Sequence, residues 1–224
     1  MKLNTVLIQV LKNFSSINTN LVVKAGSRIR TKSIAGQLLG EVNFDDVTFP
    51  KDFAIYDLNE FIGVLSMFTE PELNFEDGYL TISQGKQSVK YRYGDEATFK
   101  VRPPENELKR PPCEINFEIE QSELASLIRA AAIMKLPEIA IVSDGTSVKA
   151  KVYDSHNPLS NDFSIDIDVD ADVPYTMIIN IDNLKLIPGS YTVDITSKKV
   201  AFFTNKNVNL QYVVMMQSDS TYGE

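Results

Sequence analysis

Residues 53–65 read Phe53-Ala54-Ile55-Tyr56-Asp57-Leu58-Asn59-Glu60-Phe61-Ile62-Gly63-Val64-Leu65. The first four are apolar or aromatic and suit a strand over Phe53–Tyr56. Asp57 then stands where a helix needs an oxygen acceptor for its free N–H groups, with Glu60 three residues on, in a capping-box-like arrangement. Leu58, Phe61, Ile62 and Leu65 repeat at helical spacing and form one buried stripe. The same junction recurs downstream, where Tyr175–Ile179 runs into Asn180-Ile181-Asp182-Asn183-Leu184-Lys185 before Pro188-Gly189. A strand feeding a short helix is expected there too.

From these two junctions the rest of the chain falls into matching halves. Leu3, Val6, Leu7, Val10, Leu11 and Phe14 make a helical face, and Leu124, Leu127, Ile128 and Ala131 make another. Strands are expected at Leu21–Lys24 and Arg28–Ser33 around Gly26, and at Ile139–Val142 and Val148–Tyr153 around Gly145. Three short strands fit residues 72–93, turning at Asp77-Gly78. In the second half Ile115–Ile119, Phe163–Val169, Tyr191–Ile195, Lys199–Thr204 and Val208–Met215 read as strands. The pattern is an internal duplication of roughly 110 residues, with helix, sheet, helix and sheet in each copy. Residues 1–94 form one domain and 115–224 the other. The connector, 95–114, holds Pro103, Pro104, Pro111 and Pro112 and suits an extended link.

Composition narrows the function. The chain has 224 residues, one Cys, one His and a formal net charge of −8. A single Cys113 excludes a disulfide framework within one chain and Cys-based zinc or iron–sulfur sites. A single His156 removes His-pair metal sites and argues against a His-based triad. No apolar run approaches the length of a membrane span. Charge is uneven: residues 1–40 carry +6 with no acid, which leaves −14 on the remainder. Between Lys151 and Lys185 there are seven Asp and no Lys or Arg. Asp166, Asp168 and Asp170 alternate along a strand and so do not converge on one ion. The chain is expected to be no enzyme and to hold no cofactor or metal.

The sequence resembles the DNA polymerase sliding clamps of T-even-type bacteriophages. The resemblance is carried end to end by Met1-Lys2-Leu3, Leu11-Lys12-Asn13-Phe14, Ile17-Asn18, Ala54-Ile55-Tyr56-Asp57-Leu58-Asn59, Phe61, Gly63 and Leu65-Ser66. It continues through Arg129, Ile139-Ala140-Ile141, Lys185, Pro188-Gly189, Tyr191, Tyr212-Val213-Val214 and Asp219-Ser220-Thr221. The connector departs from the family's sequence. The resemblance implies an α+β DNA clamp fold: two similar domains, each with two helices packed on antiparallel sheets, closed as a homotrimeric ring. It further implies a protein that encircles double-stranded DNA regardless of sequence and tethers the replicative DNA polymerase for processive synthesis. Implied partners are an ATP-dependent clamp loader and late-transcription factors, for which the clamp serves as coactivator, with the infected host's cytoplasm as the location and no membrane. The alternative reading is a ring-forming virion component.

Within that frame the exposed helix faces supply a modest basic set, Lys2, Lys12, Arg129, Lys135 and Lys185, as the DNA-facing residues. Phosphate contacts of this kind hold a duplex without reading it. The strand Arg28-Ile29-Arg30-Thr31-Lys32 places three bases on one face, expected at solvent or at a rim. Lys86, Lys90 and Arg92 on one strand, and Asp166, Asp168 and Asp170 on another, are expected to meet across the subunit interface. Leu210, Tyr212, Val213 and Met215 are the candidates for a partner-peptide pocket.

Overall fold

In the computed structural model every residue is described except Lys2, Glu107 and Glu224. Contacts divide the chain into two compact units, Met1–Asn106 with Val208–Leu210, and Glu107–Asn207 with Gln211–Glu224.

The first unit begins with helix α1 (Thr5–Ile17), followed by β1 (Leu21–Val23), β2 (Arg28–Lys32), β3 (Leu38–Asn43) and β4 (Phe53–Ile55). Helix α2 (Leu58–Leu65) and the strands β5 (Glu72–Phe75), β6 (Tyr79–Gln84) and β7 (Gln87–Arg92) complete it. Asn4 starts α1 by accepting the Leu7 N–H at 2.6 Å, and Asp57 starts α2 by accepting from Asn59 (2.9 Å) and Glu60 (3.2 Å). Leu7, Val10, Leu11, Phe14 and Ile17 of α1 are buried, as are Leu58, Phe61 and Leu65 of α2. Ile62 of the expected stripe is only half-buried. Phe14 presses on β3, where a Cβ on Gly40 would lie 2.8 Å from its ring.

The second unit opens with β8 (Ile115–Ile119) and α3 (Gln121–Met134), then β9 (Glu138–Asp144), β10 (Val148–Tyr153), β11 (Phe163–Ile167) and β12 (Pro174–Asn180). It ends with β13 (Tyr191–Thr196), β14 (Val200–Asn205), β15 (Leu210–Met215) and β16 (Thr221–Tyr222). The helix expected after Asn180 is a single 3₁₀ turn, Ile181–Asn183, with the Asn180 side chain accepting the Asp182 N–H at 2.9 Å. Pro188 and Gly189 follow too soon for a longer helix to form. The described residues therefore hold three α-helices, one fewer than two per unit.

Strand order confirms the duplication. Four strands of the first unit run β4-β1-β2-β3, and the second unit's run β12-β9-β10-β11 over the corresponding strands, with β16 added beside β12. The meander β5-β6-β7 is matched by β13-β14-β15. All pairings within these sheets are antiparallel. Even the edges correspond: the Gly94 N–H donates to Ala54 of β4 at 2.8 Å, and the Gln217 N–H donates to Ile178 of β12 at 2.8 Å.

Candidate nucleic-acid interface

Each helix turns its apolar stripe inwards, so its outward face is set by what remains. On α1 that face is Thr5, Gln9, Lys12 and Ser16, and the helix contains no acid. On α3 it is Ser122, Ala125, Ser126, Arg129 and Ala132, with Ile133 also exposed, and Ile128 of the expected stripe lies on the exposed side rather than in the core. Aligning the buried stripes Leu7, Val10, Phe14 and Leu124, Leu127, Ala131 brings Lys12 and Arg129 to the same place, two residues past the stripe's second member. One outward cation thus recurs at one position in both copies.

Lys135 caps α3 with its backbone at φ 56°, and its N–H bonds to the Ala131 carbonyl. Lys185 is exposed just beyond the 3₁₀ turn. Among the described residues Lys12, Arg129 and Lys135 form no ion pair, so their charge is offered to solvent. Lys2 lies outside the described residues. On α2 the outward positions are Asn59, Glu60, Gly63 and Ser66, with no base.

The strand Arg28–Lys32 departs from expectation. Arg30 is not at a rim: it is 6% exposed and paired with Glu41, its cross-strand neighbour on β3. Its Nη1 also donates to the carbonyls of Pro104 (2.6 Å) and Asn106 (2.7 Å). Arg28 adds a bond to the Glu105 carbonyl at 3.3 Å. A planar fork suits several acceptors at once, which explains why an arginine fastens the connector here. Further along, Glu96 pairs with both Lys24 (3.4 Å) and Arg102 (3.1 Å), and Lys24 pairs with Asp52 (3.3 Å). Sequence reading missed Arg30 as an anchor because Glu41 sits on a strand that the hydrophobic pattern hides.

The two strands expected at a subunit seam are both sheet edges, β7 in one unit and β11 in the other. Lys90 and Arg92 are exposed on β7, with the Lys90 ammonium 3.7 Å from the centre of the Tyr79 ring, and Lys86 is exposed in the turn before it. Asp166 is exposed on β11 and already 3.5 Å from Lys149 of β10. Strand β11 ends at Ile167, so Asp168 and Asp170 lie in the bend beyond it rather than on the strand. Their expected alternation stops because the Val169 N–H turns back to the Ile167 carbonyl at 2.8 Å.

The expected peptide pocket is half core. Leu210 and Tyr212 are buried, at 1% and 0% exposure, and the Tyr212 hydroxyl accepts the Ile187 N–H at 3.2 Å. Burial pushes the Tyr212 phenol above its ordinary pKa. Leu210 and Tyr212 are therefore corrected to packing residues. Val213 and Met215 occupy the opposite face, half-buried and 39% exposed.

Against solved structures, the chain is similar to A. fulgidus PCNA bound to the C-terminal region of FEN-1. The TM-score is 0.71 over 96% of each chain, at 14% identity. Twinned units of helix on antiparallel sheet define the DNA clamp fold.

Sequence comparison carries the assignment further. The family described as DNA polymerase processivity factor matches residues 2–99. The sliding clamp of Enterobacteria phage T4 is 32% identical, and that of Escherichia phage RB69 is 29% identical, each over 99% of both chains. The chain belongs to the T-even-type phage sliding clamps, the processivity factors of DNA polymerase.

Proposed function

We propose that three copies of this chain close head to tail into a ring around duplex DNA and hold the replicative polymerase to its template. The observation that carries this reading is the pair of outward cations at matching places, Lys12 and Arg129, on helix faces whose other exposed residues are uncharged. Such a wall attracts phosphates without locking a register. Lys135 and Lys185 extend it, and Lys2 joins them by sequence position. The ring closes by strand addition between the β7 edge of one copy and the β11 edge of the next. Lys86, Lys90 and Arg92 then face the acidic side of β11 at Asp166 and the following Asp168 and Asp170. Exposed ion pairs contribute only about 0–1 kcal/mol each, which suits a seam that must open.

An ATP-driven loader opens that seam. Partner peptides dock on the outward side of β15 at Val213 and Met215, where Met adapts to several sequences. The same mobile ring serves late transcription, in the cytoplasm of the infected host, and the clamp contributes topology rather than chemistry. No described helix is long and apolar enough to cross a membrane.

The test combines sedimentation with retention on DNA. The expected mass is three times 25.1 kDa. After loading with the cognate loader and ATP, the protein stays on nicked circles and runs off linear DNA. Equal loss from both, or a solitary subunit that supports long-range synthesis, overturns the reading.

A further inference from the structure

The two copies of the fold are unequal along one sheet edge. In the second unit, β13 carries β8 on its outer side, paired from Ile115–Ile195 to Ile119–Tyr191. Ile115, Phe117 and Ile119 of β8 are buried and Asn116 and Glu118 face out. In the first unit the corresponding strand is β5, and among the described residues only Met1 bonds to its outer side. The Leu73 N–H donates to the Met1 carbonyl at 3.0 Å, and the Met1 nitrogen donates to the Leu73 carbonyl at 2.9 Å.

Backbone direction alternates along an antiparallel strand. Leu73 points away from β6, and the Glu76 N–H points towards it, bonding to the Tyr79 carbonyl at 3.0 Å. Phe75 therefore points outwards with Leu73, and among the described residues nothing bonds to its backbone N–H or carbonyl on that side. A cavity of 560 Å³ opens there, lined by Met1, Thr48, Pro50, Leu73, Phe75 and Glu76 among others. Phe75 is the aromatic residue of its lining, and behind it the Phe75 ring lies 5.3 Å from that of Phe53 and 6.4 Å from that of Phe49, both of which are buried. Glu76 stands in its lining, Glu72 is exposed on the same outward face of β5, and Asp77 beyond them is bonded to Lys51 at 2.5 Å.

We propose that the outer edge of β5 accepts an extended segment of a partner protein as an added antiparallel strand, with an apolar residue opposite Phe75 and a basic residue next to it. Three features select this occupant. The mutual Met1–Leu73 bonds occupy the outer side of Leu73, so the added segment pairs at Phe75 and continues the antiparallel sense that Met1 already adopts. The Phe75 ring, with the Met1 and Pro50 side of the cavity, takes the inward side chain of the segment's last residue. The carboxylates of Glu72 and Glu76 favour a cation on the outward one. Main-chain bonds supply affinity in such strand addition, and the alternating side chains supply specificity. The site is separate from the seam proposed above, which uses β7 and β11, so neither inference stands or falls with the other.

The probe is a synthetic, end-capped peptide with the sequence of β8, Ile115–Ile119, carrying the changes Asn116→Lys and Glu118→Lys. It is titrated into the full chain while amide hydrogen exchange is followed residue by residue. The expected result is saturable binding that slows exchange at the Phe75 amide at least tenfold. A peptide N-methylated on the side facing β5 keeps every side chain but loses at least tenfold in affinity. The unmodified β8 sequence, with Glu118 retained, binds several-fold more weakly. Protection that appears at β7 or β11 instead of Phe75 overturns the proposal. So does equal binding of the N-methylated peptide, no slowing at millimolar peptide, or a Phe75 amide whose protection grows with protein concentration alone, which would assign the edge to a second copy.

Discussion

At Gly40 the chain has room for a hydrogen and nothing larger. A Cβ there would come within 2.8 Å of one ring carbon of Phe14 and 3.2 Å of another. Phe14 is fully buried, so it has little freedom to move aside. Gly40→Ala is expected to cost about 1–3 kcal/mol through overpacking, read as a lower urea midpoint with an unchanged slope. Asp144 shows the opposite economy at the β9–β10 turn. Its Oδ1 accepts the N–H groups of Ser147 (2.8 Å) and Thr146 (2.9 Å) and the Thr146 hydroxyl (2.8 Å). The Ser147 N–H, and then Thr146, hold the carboxyl well below the usual carboxylate range. A depressed carboxyl stabilises the fold above its unfolded pKa, near about 4, and that contribution fades as pH falls towards the folded value. Asp144→Asn should therefore lower stability most above about pH 4, where the depressed carboxylate contributes fully, and progressively less as the pH falls, which flattens the acid limb of the stability curve.

Elements whose side chains alternate or recur cleanly were legible; those shaped by a distant neighbour were not. Strand β3 was hidden because Leu38-Leu39-Gly40-Glu41-Val42-Asn43 alternates poorly, and the glycine that breaks its pattern is there for Phe14. The 3₁₀ turn at Ile181–Asn183 looked like a helix because its capping signal is genuine, while the room to continue is missing. On β15 the alternation was visible but its phase was not, since Leu210, Tyr212 and Val214 face the core and nothing local says which side that is. Arg30 was misread for a related reason: three bases on one strand face look solvated until Glu41 and the connector carbonyls are found over the middle one. Removing it tests the connector as an element. Arg30→Ala leaves Glu41 and two carbonyls without their donor and is expected to cost about 3 kcal/mol. Trypsin should then cut after Lys109 faster, and Arg30→Lys should rescue little, because an ammonium lacks the fork's geometry.

For the whole molecule, the recurring cation and the open edges of β7 and β11 are what the proposed ring uses: a fold copied within the chain would then be copied between chains. The prediction at this scale is a change of assembly. Lys90→Glu together with Arg92→Glu should yield monomers at low salt, seen by light scattering; an unchanged trimer counts against the β7–β11 seam. Lys12→Glu together with Arg129→Glu should leave the assembly intact and shallow the salt dependence of DNA retention, because fewer counterions are released.

The left-handed backbone at Lys135, with φ 56°, has a bearing on engineering. Glycine adopts that geometry with less strain, so Lys135→Gly is an obvious route to a hardier protein, worth about 1 kcal/mol. The same exchange deletes an outward ammonium at the end of α3. If Lys135 faces DNA as proposed, thermal robustness and residence on the template would pull against each other at a single codon.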